Sequence, residues 1–330
     1  MILILSNSHD VDTNGVIDWL NYYKLQYFRL NDQELFIGKT KFYYSLDDNT
    51  GYFISAEQKK ITLNEIKVVW FRKFGFLHEH DIVFNNLDPS SNLLKYCYSE
   101  FNMLRKLLFK ILENKEWFYY KGLKPTKIEV LILAKKIGLN IPKTIITNKK
   151  DYITNEFRFN KTGLITKPMG EGKQINFKNT NTPLLTTMFY IKDINSLNLN
   201  VFCPSKIQEN IQKLYELRIF FVGKKLYPMA IFSQQNSSSK VDSRNINNKK
   251  PSRRVPYKLS KKIILKLKSL ISNLDIDSGS IDMIKSSTGE YVFLEVNPTG
   301  QFGMTSVPCN YPLHKKVALH LKKKVKHEYN

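Results

Sequence analysis

At 330 residues, 42% hydrophobic and 13% aromatic, the chain is long enough to bury two or three packed domains, and its composition excludes a disordered tail or a linker. Its formal net charge of +22, from 51 Lys+Arg against 29 Asp+Glu, calls for anionic partners, but Lys far outnumbers Arg and the lysines are scattered, which argues against nucleic acid. Cys97, Cys203 and Cys309 are dispersed without a CxxC pair, excluding a disulfide framework or thiolate zinc site, and no apolar run approaches the roughly 20 residues of a membrane helix.

The apolar start, Met1 to Leu5, breaks at Ser6-Asn7-Ser8-His9-Asp10 without a basic leader or cleavage region. It reads as a strand rather than a signal peptide, and a cytoplasmic protein is expected. A strand over Ile2 to Leu5, a helix near Asn14 to Lys24 and a strand over Tyr27 to Leu30 form a Rossmann-like opening. Two β-rich stretches follow, Phe36 to Leu46 and Gly51 to Ala56, about the turn Asp47-Asp48-Asn49-Thr50-Gly51. The strand Val68 to Arg72 and a helix begun by Asp88-Pro89 and running to about Leu112 close a first domain, residues 1–118, with the boundary between Glu113 and Gly122.

A second domain, residues 119–205, opens with a helix from Lys127 to Lys136 stopped by Gly138, then strands at Leu164 to Pro168 and Gln174 to Phe177. From Gln174 to Asn195 the pattern suggests a hairpin turning through Asn179 to Pro183. The third domain, residues 206–330, continues strand-like alternation begun near Val201 through Leu217 to Val222 and Leu226 to Phe232. A Ser-, Asn- and Gln-rich loop, Ser233 to Ser252, precedes a helix near Ser260 to Asn273 and strands Gly279 to Ile284 and Tyr291 to Val296. The basic tail from Lys315 reads as a solvated helix face beside Val317, Leu319, Leu321 and Val325. Mixed α/β is the expected fold class.

The most informative stretch is the last strand pair. A tight turn at Ser287-Thr288-Gly289-Glu290 would bring Asp282 near Glu295 and Asn297, which are two apart and so share a face, with Leu294 and Val296 toward the core. Two carboxylates and an amide oxygen suit magnesium, which keeps water and phosphate as its other ligands. A hairpin with a polar outer face is the plainer alternative. Lys167 ends a strand before the loop Pro168-Met169-Gly170-Glu171-Gly172-Lys173, whose amides could cover phosphates, whereas Lys127 alone reads as a solvated lysine. Gln208, Glu209, Asn210 and Ile211 form a strand end that could offer backbone groups to a base, with Glu216 nearby for hydroxyls. Arg218 and Arg244 lie near these carboxylates, and structural ion pairing is as good an account of either.

In order along the chain, Lys127, Lys167, Gln208-Glu209, Glu216-Leu217-Arg218, Asp242-Ser243-Arg244-Asn245, Asp282 and Glu295-Val296-Asn297 resemble the ATP-grasp superfamily of ligases. The resemblance implies a Rossmann-like pre-ATP-grasp domain followed by central and C-terminal lobes that clasp ATP. It implies Lys127 and Lys167 on the phosphates, Gln208 to Ile211 at adenine, Glu216 at ribose, Asp282, Glu295 and Asn297 on Mg2+, and Arg218 and Arg244 on an acyl phosphate. Val69-Trp70-Phe71-Arg72-Lys73, Ala134 to Thr144 and Asn297-Pro298-Thr299-Gly300-Gln301-Phe302 look most like the microviridin or graspetide peptide maturases, particularly the grasp-with-SPASM type. That likeness implies activation of Asp or Glu side chains of a ribosomally made precursor peptide and ring closure by Ser, Thr or Lys. The partner would be a leader plus an acidic and hydroxyl-rich core, with Lys178, Lys192, Asp193 and Arg72 meeting the peptide, and a homodimer stays open. A glutamate-type amino-acid ligase acting on a protein C-terminus or small molecule is the alternative.

Overall fold

The computed structural model describes residues 1–75, 92–118, 125–170, 174–177, 180–183, 186–233 and 252–327, with backbone alone at 174–177, 180–183 and 327. Two compact units emerge: Met1–Gly122 with Asp275–Gly279 and Pro298–Asn330, and Leu123–Leu274 with Ser280–Asn297.

In the first unit β1 (Ile2–Ser6) is buried along its whole length, as a strand paired on both sides must be. It is followed by α1 (Val11–Tyr22), β2 (Tyr27–Asn31), α2 (Asp32–Phe36), β3 (Lys41–Tyr44), β4 (Gly51–Ile54), β5 (Lys60–Thr62), β6 (Val68–Phe71), α3 (Asn92–Ile111) and β7 (Glu116–Phe118). The parallel sheet has the order β2-β1-β6-β7, and β3-β4-β5 form an antiparallel sheet of their own. The turn at residues 45–50 joins β3 to β4 as expected, Tyr44 pairing with Gly51. Phe36, read as strand, instead ends α2, because Gly38 at φ +76° turns the chain before β3 can begin. β7 falls inside the stretch read as a domain link: Trp117 and Phe118 are buried against β6. The helix start at Asp88-Pro89 lies outside the described residues.

The second unit opens with α4 (Lys127–Lys136), whose first turn is fixed by reciprocal Thr126 and Glu129 bonds and whose end is released by Gly138 at φ +84°. Next come β8 (Thr144–Lys149), α5 (Lys150–Phe157), β9 (Leu164–Thr166), β10 (Gln174–Phe177), β11 (Thr180–Pro183), β12 (Thr187–Phe189), α6 (Ile191–Asn195) and β13 (Val201–Glu209). One sheet runs β12-β9-β13-β8, and Ile153 and Phe157 of α5 and Ile194 of α6 bury Leu164 and Ile207 on one face. The hairpin is present as β10 and β11, but residues 180–183, read as its turn, are its return strand. β-branched Thr180 and Thr182 favour extension, and a two-stranded ribbon tolerates Pro183 because both of its strands are edges.

A second sheet is built from β14 (Lys213–Val222), β15 (Lys225–Phe232), β16 (Arg253–Pro256), then, after α7 (Lys261–Leu274), β17 (Ser278–Ser286) and β18 (Tyr291–Asn297), in the order β16-β15-β14-β17-β18. α4 packs on β18, and the amide of Phe293 donates to the carbonyl of Asn140 at 2.8 Å.

The chain then returns to the first unit with α8 (Gly303–Cys309) and α9 (Leu313–His327). Residues 298–330, read as part of the C-terminal lobe, therefore pack with the N-terminal sheet. Leu313, Val317, Ala318 and Leu321 of α9 are buried, while Leu319 stays exposed, so the basic tail carries an interior stripe. Asp12 fastens the return, accepting from the amides of Phe302 and Gly303, each at 2.8 Å. Gly15 lets α1 approach α9: a Cβ there would lie 2.6 Å from the His314 ring.

Candidate active site

Six strands of the second unit, β9, β13, β14, β15, β17 and β18, wall a cleft of about 850 Å³, counting the solvent at its mouth. Lys167, Glu209, Asn210, Ile211, Glu216, Arg218, Asp282 and Glu295 all line it. These eight sequence-selected residues come from segments separated by up to 128 positions, brought together on the two sheets of the second unit.

Asp282 lies directly across the ladder from Glu295, and Ser280 across from Asn297. The next pair is Met283 with Phe293, so Leu294 is an extra residue, a β-bulge. The bulge suspends the alternation of faces, and Leu294, expected in the core, lines the cleft beside Glu295. Asn297 is exposed at the strand end and not on the cleft wall. Lys127 reaches the site from the first turn of α4, its Nζ 3.3 Å from Glu295 Oε2. Arg218 sits on β14, next to β17, with Nε 4.0 Å from Asp282 Oδ1 and, among the described residues, buried without a hydrogen bond.

The other wall is the strand end after β13. Amides of Glu209 and Asn210 already donate to the carbonyls of Lys143 and Gly163, both at 3.0 Å, and Glu209 Oε1 accepts from the amide of Lys143 at 2.7 Å. Gln208 is 1% exposed; its Nε2 donates to Thr144 Oγ1 at 2.9 Å, so it braces the sheet and does not line the cleft. Glu216 is held by Lys213 and accepts from Ser233 Oγ at 3.0 Å.

Lys206, which sequence reading passed over, is 1% exposed. Burial, with Lys167 and then Lys127 adding like-charge repulsion, pushes its ammonium down to about 8 against the pull of Glu295. The signal was present as a lysine two positions before Gln208, but only the pairing of β13 with both β8 and β9 shows that it is interior.

Among the described residues no group of three or more His, Cys, Asp or Glu side chains could hold a metal by itself. Asp282 and Glu295 are two hard oxygen donors on facing strands, with Asn297 near, and cations surround them. That donor set fits Mg2+ sharing its shell with phosphate and water, and does not fit an all-protein cage.

The remaining expectations fall elsewhere. Arg72, just past β6 in the first unit, is 3% exposed, donates from Nε to Asp10 Oδ2 at 3.2 Å, and places Nη2 3.7 Å from Asp12 Oδ2. Burial alone would raise the Asp10 carboxyl, but Arg72, Thr13 and Lys73 hold it at about 2. Arg72 is thus an interior ion-pair member, not an open contact. Asp193 caps α6 through the amide of Tyr190 at 2.7 Å and borders a second, largely apolar cavity between α5, α6 and the sheet. Lys192 is exposed, its Nζ 5.7 Å from the Tyr190 ring centre. Lys178 and Arg244 lie outside the described residues.

Residues 1–120 match the MvdD pre-ATP grasp domain. No curated protein matches the chain. An RiPP-associated ATP-grasp ligase of Chryseobacterium gregarium, solved with ADP and a leader and core peptide, is 27% identical, with TM-score 0.80, over 98% of this chain and 96% of that one. The macrocyclase MdnC of Microcystis aeruginosa, bound with precursor peptide MdnA, is 25% identical at TM-score 0.80, over 96% and 97%. PsnB, complexed with a phosphomimetic variant of its minimal precursor, Mg and ADP, shares 14% identity at TM-score 0.73 over 98% of both chains, a likeness of fold. Fold, cleft and end-to-end similarity together liken this chain to the ATP-grasp ligases, and among them to the RiPP-associated, graspetide-type peptide maturases.

Proposed function

We propose that this chain uses ATP to activate Asp or Glu side chains of a ribosomally made precursor peptide and closes ester or amide macrocycles with Ser, Thr or Lys of the same peptide. The observation that carries the reading is the facing pair Asp282 and Glu295 on the wall of a cleft that Lys167 and Arg218 also line. Similarity to a ligase solved with ADP, leader and core peptide supports the substrate class.

In this reading the two sheets of the second unit act as central and C-terminal lobes, and the first unit as the pre-ATP-grasp domain. Lys127 and Lys167 bind phosphates, Glu209 to Ile211 border adenine with Gln208 bracing them, and Glu216 takes the ribose hydroxyls. Because the Glu209 and Asn210 amides are engaged and the Asn210 carbonyl accepts from Thr162 Oγ1 at 3.0 Å, the Ile211 segment is the part left for the base. Mg2+, held by Asp282, Glu295 and Asn297, would neutralise phosphate charge when bound. Arg218, with Arg244, neutralises the acyl phosphate formed when a peptide carboxylate takes the γ-phosphoryl group and ADP leaves. A hydroxyl or amine of the peptide then attacks the acyl carbon, gives up its proton and expels phosphate. The protein's work is positioning and charge neutralisation.

The β10–β11 hairpin and α6, with Lys178, Lys192 and Asp193, are the proposed leader dock, and Arg72 contributes by holding the first unit together. A cytoplasmic location accords with three free cysteines, and homodimerisation is part of the proposal. The test is incubation of the protein with ATP, Mg2+ and any short acidic, Thr-rich peptide that a neighbouring reading frame encodes, or a synthetic peptide of that composition. ADP release with loss of one water per ring is expected; ADP release on a free amino acid with an unchanged peptide mass would replace the maturase reading with an amino-acid ligase.

A further inference from the structure

We propose that Lys213 and Ser233 are positioning residues for ribose recognition, fixing Glu216 through one carboxylate oxygen and leaving the other to accept from a sugar hydroxyl; this rests on reading the cleft as an ATP site with Glu216 at the ribose. Lys213 opens β14 three residues before Glu216. Ser233 follows β15, two residues after Ile231, which faces Glu216 across the ladder. The Lys213 ammonium and the Ser233 hydroxyl, the latter at 3.0 Å, both donate to the same atom, Glu216 Oε1. Among the described residues no hydrogen bond reaches Glu216 Oε2. Ser233 is fully buried, the Lys213 side chain is 8% exposed and that of Glu216 16%, and Lys213, Glu216 and Ile231 all line the cleft.

An ionised carboxylate accepts only, at about four lone-pair sites shared between its oxygens. The two donors take those of Oε1, and those of Oε2 are left on a side chain in the cleft wall. A sugar O–H donating there makes a charge-assisted bond, stronger than a bond between neutral groups. Stability alone explains the Lys213–Glu216 pair poorly, because taking an ammonium and a carboxylate out of water costs about as much as their attraction returns. What the arrangement does supply is an acceptor held in one place. A site built to bond a hydroxyl rejects the analogue that lacks it, and a carboxylate free to rotate would discriminate less.

The experiment is calorimetric titration of wild type, Lys213→Met, Ser233→Ala and Glu216→Ala with ATP, 2′-deoxy-ATP and 3′-deoxy-ATP, with thermal melts of all four proteins. Wild type is expected to bind ATP about tenfold or more tighter than at least one deoxy nucleotide. Lys213→Met should bring that preference to within about threefold by losing more affinity for ATP than for the deoxy nucleotide, and Ser233→Ala should reduce it by about threefold. A folded Lys213→Met protein that keeps the wild-type preference overturns the inference. An equal loss for all three nucleotides does so too, since that is the mark of a phosphate contact or of a distorted cleft. Should Lys213→Met not fold, Ser233→Ala decides by the direction of its preference, and failure of both to fold marks the pair as structural and overturns the inference. Failure of the underlying reading shows separately: Glu216→Ala with an undiminished preference removes Glu216 from the ribose, and a wild type that binds none of the three nucleotides sinks the ATP reading of the cleft, each taking the inference with it.

Discussion

Asp282 and Glu295 face each other across β17 and β18, and the ladder slips by one residue at the very next pair. The slip widens what one strand can present: Glu295 and Leu294, neighbours that a regular strand would send to opposite faces, both line the cleft. An acidic edge and an apolar wall thus come from the same few residues of β18. That pairing of surfaces suits a ligand with a charged end and a flat apolar end.

Glu295→Gln is expected to lower turnover at least 100-fold, since it removes a charge from the proposed Mg2+ set and from Lys127, and Asn297→Ala to act in the same direction. Folding should survive, because the Lys127–Glu295 pair is partly exposed and contributes at most about 1 kcal/mol. Mass spectrometry of the peptide product, beside a melting curve, checks both halves. Wild-type rates in a folded Glu295→Gln protein would remove this carboxylate from the metal assignment.

Much of this wall was legible in the sequence because its polar residues sit where strand alternation makes them conspicuous: Glu216 and Arg218 are two apart on β14, and Asp282 and Glu295 flank a readable turn. Lys206 was not legible, because a lysine after Pro204-Ser205 looks solvated until its strand is known to be paired on both sides. Leu294 was misplaced because a bulge leaves no mark in an alternating pattern. The return of residues 298–330 to the first unit depends on Asp12 bonding backbone amides 290 positions away, which no local pattern carries.

Peptide affinity should fall as salt rises if the +22 charge draws an acidic partner, since exposed attractions are screened beyond a Debye length of about 10 Å near 0.1 M salt. ATP, held partly within the cleft, should respond less. Titration of the precursor at low and moderate salt is the check, and a flat dissociation constant would disconnect net charge from recognition.

Acid should loosen the first unit. The Asp10 carboxyl is held at about 2 against an ordinary 3.8, a lowered value. Its contribution, on the order of 2 kcal/mol, is therefore complete above the ordinary carboxylate value and is lost as pH falls from about 4 toward 2. Trp19, Trp70 and Trp117 all lie in the first unit, so tryptophan fluorescence, excited selectively over tyrosine, reports its melting. Asp10→Asn should melt lower at pH 7 and show a shallower decline between pH 4 and pH 2; parallel curves would mean that Asp10 does not carry the dependence.

Charge reversal at Lys192, exposed on α6 beside Tyr190, is expected to weaken binding of the peptide leader several-fold and leave ATP binding as it was. Lys178→Glu should act likewise. Asp193→Ala tests a different link, because its carboxylate caps α6, and it should fray the helix and weaken leader binding without any change of sign in the surface charge nearby. If leader affinity and ring formation both survive all three changes, the dock lies on another surface.

Arg218→Lys separates charge from geometry at the reacting end of the cleft. The Arg218 Nε stands 4.0 Å from Asp282 Oδ1, too far for a full hydrogen bond, and is buried without one among the described residues. Lysine keeps the positive charge but loses the planar donors that grip two oxygens of a phosphate at once. The expected outcome is ATP affinity within about threefold of wild type, because Lys127 and Lys167, the proposed phosphate-binding residues, are unchanged. The rate of ring closure should fall about 100-fold if the guanidinium fork neutralises the acyl phosphate as proposed. Single-turnover assays with a saturating peptide separate the two quantities. A variant that loses ATP affinity and closure rate in equal measure would place Arg218 on the nucleotide in the ground state and not on the acyl phosphate.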